Sequence, residues 1–315
     1  MILITILSLL VMFPWTAIVQ AEDSKPIIVC TTSAVGSVVT EYLEDSVDVV
    51  VLVQPGLCPA DFDMKPSDIY AVSNAKILFK QNIPGEFWLQ SLVEAAANPN
   101  LTQVAIPGDY NTLQGAKNYI TWVGGNLSQI LNIDLTTKTS MLLDDVNAVY
   151  TWMGSQGQAL QVASMKVICM KWLQTFVQSV GFQVVATYNP PETLSAGDIN
   201  SLITTAQSEE VALIVDNLQI DVEFGGGIAS QVGAEHVVLT NFPGAIPGTE
   251  NLTQMFRYNA EQLFNATSTL KSTATLKSQI ETLNGQVALY QITTSLTVIV
   301  AAVEAVWLYI MRKRT

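Results

Sequence analysis

Short runs rich in β-branched residues alternate with segments of helical spacing along most of this chain, and this alternation limits the possible folds more than any other sequence feature. In the first half the runs are PIIVC, VDVVVLV, KILFKQN and QVAIPG, with helical segments such as TTSAVGSVVTEYLED between them. The same rhythm returns as MKVICM, FQVVATY, VALIVD and HVVLT. Strands that alternate with helices form parallel sheets covered by helices on both faces. The sequence therefore predicts an α/β fold.

The two sets of strands are separated by residues 139–163, which have the spacing of one long helix even though Gly154 and Gly157 weaken it. We predict an N-terminal α/β lobe at 26–138, a rigid linker helix at 139–163 and a C-terminal α/β lobe at 164–265. Two such lobes form a cleft at the carboxyl ends of their strands, where parallel sheets bind ligands.

The N-terminus is an apolar run over residues 2–19, followed by Gln-Ala and then by the polar EDSKP. This order predicts a secretory signal peptide at 1–21, with cleavage after Ala21. The usual basic residues before the apolar run are missing, so an uncleaved N-terminal anchor is the alternative.

Near the C-terminus, residues 288–311 are largely apolar and are followed directly by Arg-Lys-Arg. About 20 apolar residues span a bilayer, and flanking basic residues favour its cytoplasmic side. We predict a single-pass transmembrane helix at 288–311, a cytoplasmic tail at 312–315 and an extracytoplasmic body on the cell membrane. Glu304 lies within the span, where its neutral form is the simpler interpretation and pairing within an assembly is the alternative.

Residues 266–287 are predicted to form a stalk between the body and the membrane. One stripe of its residues is spaced by 4, 3, 4 and 3 positions, which resembles a coiled-coil seam. The stripe consists of Leu276, Ile280, Leu283, Val287 and Tyr290. Because it covers only about two heptads and contains Gly285, we interpret it as a simple helical tether.

The charge and the rare residue types exclude several functions. With 14 basic and 27 acidic side chains the net charge is −13, which argues against a nucleic-acid partner because phosphate binding needs a basic surface. Three cysteines are too few for a disulfide framework, and with His236 as the single histidine no catalytic set is visible, so we predict no enzyme. Four Asn-X-Ser/Thr sequons lie in the predicted external part and fit a surface glycoprotein. They begin at Asn100, Asn126, Asn251 and Asn265.

The stretch VDVVVLVQPGLCPADFDMKPSDIYAVSNAKILFKQN places a Pro-Gly turn and two carboxylates directly after a strand. Together with IIVCTTSAVGSVV and LTQMFRYNAEQL, it resembles the zinc- and manganese-binding solute-binding proteins of ABC-type metal importers. The resemblance runs from about residue 26 to 265. It implies two lobes, a metal bound between them, and a permease and an ATPase as partners. A C-terminal anchor in place of an N-terminal lipid is more typical of an archaeal surface protein.

The resemblance also implies four ligand positions, mostly histidines and carboxylates in the family. In this sequence they fall at Ala60, Ile120, Met170 and Asn241. An alanine and an isoleucine cannot bind Zn²⁺ or Mn²⁺, which prefer imidazole, carboxylate or thiolate donors. The usual site is therefore predicted to be absent.

Three hypotheses for the cleft stay open. Sulfur atoms of Cys58, Cys169 and Met170 could form a site for a soft, Cu(I)-like transition metal, although such residues are common in protein cores. Alternatively, Asn241 and Thr31 could bind a small solute that is not a metal. In the third hypothesis the chain is a surface adhesion or structural protein that kept the fold and lost its ligand.

Overall fold

Two four-stranded parallel sheets form the centres of the two lobes. The computed structural model describes residues 25–314, so the predicted signal peptide at 1–21 lies outside the described residues. The first sheet contains β1 (Ile27–Cys30), β2 (Asp48–Val51), β3 (Ala75–Lys80) and β4 (Thr102–Ala105), in the order β2-β1-β3-β4. The second contains β5 (Lys166–Met170), β6 (Gln183–Tyr188), β7 (Leu213–Asn217) and β8 (Glu235–Leu239), in the order β6-β5-β7-β8. All neighbouring strands are parallel, which confirms the predicted α/β fold.

Nine α-helices flank, connect or extend these sheets in the described part of the chain. They are α1 (Ser33–Leu43), α2 (Pro66–Asn74), α3 (Leu89–Ala96), α4 (Leu113–Leu131), α5 (Thr136–Ala159), α6 (Gln174–Val180), α7 (Ala196–Ser208), α8 (Glu223–Val232) and α9 (Leu252–Arg314). Short 3₁₀ turns at Pro59–Asp61 and Pro84–Glu86 follow β2 and β3.

The linker helix begins and ends earlier than the sequence predicts. It was expected at 139–163, whereas α5 spans Thr136–Ala159. Its start is fixed by Asp134, whose carboxylate accepts a hydrogen bond from the Thr136 N–H at 2.9 Å. Its end is fixed by Gln161, which has a left-handed backbone with φ of 52° and cannot continue the helix. The predicted weak point at Gly157 is a close contact instead, because a side chain there would lie 2.9 Å from the Val180 carbonyl oxygen.

The closing helix, the stalk and the apolar span were predicted as separate segments, but the structure joins them. They form α9, one helix of 63 residues, which is about 95 Å long. Within residues 25–314 it is the one helix that is long and apolar enough to cross a membrane, judged by length and composition. Gly285 is the sole glycine in α9, and one glycine costs only about 1 kcal/mol relative to alanine, so the sequence holds no strong break.

A continuous apolar core joins the two lobes through α5 and the first turns of α9. Phe256 of α9 lies in the middle of this contact. Its ring centre is 6.3 Å from that of Tyr110 in the first lobe, 5.9 Å from Phe176 in the second and 5.5 Å from Tyr150 in α5. The lobes are therefore packed on a shared aromatic cluster.

Tyr42 of α1 contacts both α4 and the linker helix α5. Its hydroxyl lies 3.0 Å from both the Ile120 carbonyl oxygen of α4 and the Thr139 Oγ1 of α5. Gly124 makes this approach possible, because a side chain at that position would overlap the Tyr42 ring. The segment around Ile120 is thereby held in the core, which matters for the site.

Candidate interlobe site

Polar side chains collect where β1 and β3 end, at the edge of the first sheet that faces the second lobe. Gln81 is their centre: its N–H donates to Thr31 Oγ1 at 2.8 Å, and its Oε1 accepts from Thr32 Oγ1 at 3.2 Å and from the Tyr119 hydroxyl at 2.6 Å. All four side chains are at most 5% exposed. Because buried polar groups need partners, this network satisfies its members with one another.

Glu86 stabilises the loop that follows β3. Its carboxylate accepts hydrogen bonds from the N–H groups of Gln81 at 3.2 Å and Asn82 at 2.7 Å, and burial raises the pKa of the carboxyl. The loop leads into Trp88, whose indole donates to the Pro59 carbonyl oxygen at 2.8 Å. This contact fixes the PGLCPADFD loop against the first lobe.

Three hydrogen bonds cross the cleft directly between the lobes, and a fourth joins them away from the cleft, from Asn251 Nδ2 to Glu41 Oε1. The Tyr110 hydroxyl donates to the Asn241 carbonyl oxygen at 2.5 Å, and Ser33 Oγ donates to the Pro243 carbonyl oxygen at 2.7 Å. Gln219 Nε2 donates to the Pro55 carbonyl oxygen at 2.8 Å. These three bonds join the loops at the carboxyl ends of the strands in one lobe to those of the other.

Asn241 also has its backbone N–H engaged, since it donates to Gln219 Oε1 at 3.2 Å. Gln219 Nε2 also donates to Thr240 Oγ1 at 2.8 Å. The Asn259 side chain of α9 accepts a hydrogen bond from the Thr240 N–H and donates one to the Thr240 carbonyl oxygen. The loop after β8 is therefore fixed by the second lobe, by α9 and by the first lobe at once.

The four predicted ligand positions offer poor metal donors. Ala60 is exposed, Ile120 and Met170 are 2% and 1% exposed, and Asn241 is half-buried. Ile120 packs in the shared core. Throughout residues 25–314, no group of three or more His, Cys, Asp or Glu side chains is placed to hold a metal ion.

The three cysteines are free and buried within the described chain. Burial raises the pKa of the Cys169 thiol to about 12, and it also raises the pKa of Cys58. The thiolate is the form that binds metals, so ligation would require both thiols to lose a proton against the effect of burial. A joint site of Cys58, Cys169 and Met170 stays a prediction.

The second lobe contains a polar cluster that the sequence did not reveal. Asp216 is fully buried, accepts a hydrogen bond from the Tyr188 hydroxyl and lies with Oδ2 2.6 Å from His236 Nε2. Burial, and then the Asp216 charge, raises the pKa of Tyr188. The His236 side chain, 30% exposed, is thus bonded to a core carboxylate.

The glycines at 225–227 explain why this cluster fits. They lie inside α8, and a side chain at Gly225 would overlap the Asp216 carboxylate. Glycine is required wherever a helix backbone approaches another group this closely. The signal in the sequence was therefore the glycine run itself, which marks close packing.

The chain matches the sequence model of the family described as zinc-uptake complex component A, periplasmic, over residues 28–266. Among solved structures, the periplasmic zinc-binding protein TroA from Treponema pallidum superposes with a TM-score of 0.68 at 14% identity, covering 78% of this chain and 99% of that one. The Mn-bound periplasmic metal-binding protein from Candidatus Liberibacter asiaticus gives a TM-score of 0.65 at 12% identity, covering 77% and 100%. A crystal structure of ZnuA gives 0.63 at 19% identity, covering 78% and 100%. No curated protein sequence matches the chain. At these identities the structural likeness concerns the fold.

Proposed function

Because this chain belongs to the family of periplasmic zinc-uptake components, we propose that it is the membrane-anchored, extracytoplasmic binding component of a metal-type ABC import system whose interlobe site has lost its usual zinc or manganese ligands. Its partners in this function are a permease and an ATPase. The family consists of solute-binding proteins, and the described chain has the corresponding two-lobed fold.

The hydrogen bond from Tyr110 to Asn241 carries the proposal. It lies at a position that the sequence resemblance assigns to a metal ligand, and it joins the lobes directly. With an apolar residue at Ile120 and a methyl group at Ala60, these two positions offer neither the imidazole nor the carboxylate that Zn²⁺ and Mn²⁺ prefer. The lobes are closed by protein groups where a metal would otherwise join them.

The proposed anchor is the C-terminal part of α9. The apolar segment at 288–311 has sufficient length to span a bilayer, and the Arg-Lys-Arg that follows favours a cytoplasmic tail at 312–315. The body would then be extracytoplasmic, where sequons can be modified. Asn100 and Asn265 are exposed, and either is a candidate for a glycan.

Two kinds of cargo are compatible with this function. A soft metal would use Cys58, Cys169 and Met170, but the raised pKa of both thiols opposes thiolate ligation. A small polar solute would use Thr31 and Asn241, but the Thr31 hydroxyl and the Asn241 backbone already have partners. A polar solute must therefore displace existing contacts, and a soft metal must displace the protons of both thiols.

A second candidate function is that of a surface structural or adhesion protein. It is favoured by the mutual satisfaction of the polar groups at the ends of β1 and β3, which leaves these groups no unmet need for a ligand. The importer function is preferred because the family and the cleft architecture are retained.

Metal binding and transport separate these functions. We expect the full chain, purified in detergent, to bind neither Zn²⁺ nor Mn²⁺ stoichiometrically by metal analysis and calorimetry. Cu(I) titration tests the soft-metal cargo, with a Cys58→Ala, Met170→Ala double variant as the matched control. Co-reconstitution with a metal importer's permease and ATPase from the same cell is expected to raise ATPase activity. Tight zinc binding would contradict the lost site, and unchanged ATPase activity would favour the structural function.

A further inference from the structure

From residue 271 onward α9 lies outside the body, and a single apolar stripe follows one side of it. All five members of this stripe are more than half exposed: Leu276 58%, Ile280 56%, Leu283 58%, Val287 52% and Tyr290 72%. The other residues from 271 to 287 are polar or small. Exposed apolar rows of this kind in water mark an interaction surface.

The residue types at each position select one kind of partner. The spacing assigns Leu276 and Leu283 to the d positions of a heptad repeat, and Ile280 and Val287 to the a positions. Leucine at d with β-branched residues at a favours parallel, two-stranded coiled coils. The stripe is thus suited to a second helix running in the same direction.

The flanking positions permit this pairing. The g positions are Gln279 and Gln286, and the e positions that they face across a parallel pair are Asn284 and Gln291. Amides at these positions introduce no like-charge repulsion and can hydrogen-bond to one another. Gly285 falls at the outward f position, where a side chain would contact nothing within 4 Å, so it does not interrupt the stripe.

The same face of the helix changes in composition within the apolar span. Continuing the heptad spacing from Val287 and Tyr290 leads to four small or polar residues, Thr294, Thr297, Ala301 and Glu304, before large apolar residues return at Leu308 and Met311. The opposite side of the span carries large apolar residues instead: Leu289, Ile292, Leu296, Ile299, Val303, Val306 and Ile310. In lipid, helices pack through small and polar residues and direct large apolar ones to the acyl chains.

One continuous face of α9 is therefore apolar where the helix lies in water and mainly small or polar where it lies in lipid. Each of these compositions is typical of a helix–helix interface in that medium. We propose that α9 pairs in parallel and in register with α9 of a second copy of this chain, in place of the simple tether interpreted from the two heptads of the stalk alone. A second copy is the partner because its α9 has the apolar stripe and the small or polar residues at the same distances along the helix. Two copies inserted in the membrane in the same orientation form a parallel pair. Facing Glu304 side chains can hydrogen-bond to each other when protonated, which offsets the cost of an ionisable group in lipid. The lipid part rests on the proposed anchor, whereas the stalk part does not.

Cysteine cross-linking of the full chain in its native membrane tests the proposal. Ile280→Cys and Leu283→Cys are expected to form disulfide-linked dimers on mild oxidation, and Ala301→Cys is expected to do so within the span. Matched controls are Ser278→Cys in the stalk and Val303→Cys in the span, which face away from the proposed interface and should cross-link several-fold less. The native cysteines are buried and should give little background.

Equal cross-linking at interface and control positions, or none at any of them, would overturn the pairing. An Ile280→Asp, Leu283→Asp double variant provides a second measurement: it should shift the detergent-solubilised chain from dimer to monomer, whereas Ser278→Asp should not. These side chains are solvent-exposed on the stalk, so the body should fold normally, as circular dichroism can verify. Alkaline extraction of membranes tests the anchor separately, because a chain released by it can still dimerise through the stalk.

Discussion

Replacing Tyr110 with phenylalanine removes the hydroxyl that joins the two lobes and leaves the ring in place. Tyr110 is 5% exposed, and its ring packs edge-on against Tyr119 at 5.3 Å, a contact that phenylalanine retains. Burial raises the pKa of the phenol, so the hydroxyl is a donor at any physiological pH. The variant therefore isolates one hydrogen bond, to the Asn241 carbonyl oxygen at 2.5 Å.

The loss is expected to destabilise the closed arrangement by about 1–2 kcal/mol. An unmet buried acceptor costs about 1–3 kcal/mol, and Asn241 is half-buried, so water recovers part of this. The population of molecules with separated lobes should rise by a factor of about 5–30. Urea unfolding of the full chain in detergent measures the first quantity, and hydrogen exchange of the Asn241–Pro243 loop measures the second.

Tyr70→Phe is the matched control, because the Tyr70 side chain is 69% exposed. It should change neither the unfolding free energy nor the exchange of the loop. If Tyr110→Phe behaves like this control in both assays, the lobes are not held by this hydrogen bond. The proposal that protein groups close the cleft in place of a metal would then fail.

Three further predictions concern stability and modification. Burial first, and then a neighbouring carboxylate, raises the pKa of Glu41 from 4.5 to about 7. The folded protein should therefore lose stability as pH rises through that range. Glu41→Gln should flatten the pH dependence of the unfolding midpoint, and an unchanged slope would contradict this prediction. Gly225→Ala should cost about 1–3 kcal/mol through overpacking on the buried carboxylate beneath it, whereas Gly227→Ala, with open space around it, should be neutral or stabilising by up to about 1 kcal/mol; thermal unfolding of both variants compares them. Glycopeptide mass spectrometry should find Asn100 modified and Asn251 unmodified, because the Asn251 Nδ2 donates to Glu41 Oε1 at 2.9 Å; the reverse pattern would refute this assignment.

The fold was predictable because its signals are local. A buried parallel strand such as β1 needs a continuous apolar run, and the sequence IIVC is such a run. The ends of α5 were less predictable, since they depend on one carboxylate at Asp134 and one left-handed residue at Gln161. Helix boundaries of this kind depend on single contacts that periodicity does not record.

Only part of the interlobe site could be predicted from the sequence. The replacement of metal ligands at Ala60 and Ile120 is predicted from a comparison of motifs, so the doubt about zinc and manganese arises from the sequence. What closes the cleft instead does not, because Tyr110 and Asn241 are 131 positions apart, and Pro55 and Gln219 are 164 apart. No local pattern indicates a hydrogen bond between such distant residues.

The three hydrogen bonds that cross the cleft also limit how a cargo could enter. If each contributes about 1 kcal/mol net, opening the lobes costs about 3 kcal/mol and the open form is populated at about 1% or less. A cargo that binds only the open form would lose affinity by that factor, unless its own contacts replace the bonds it breaks. Phe256 adds to the constraint, because its ring contacts aromatic residues of both lobes and belongs to the helix that continues into the stalk. Any lobe movement must therefore repack the base of α9, so opening of the cleft and the position of the body on its stalk are expected to be coupled.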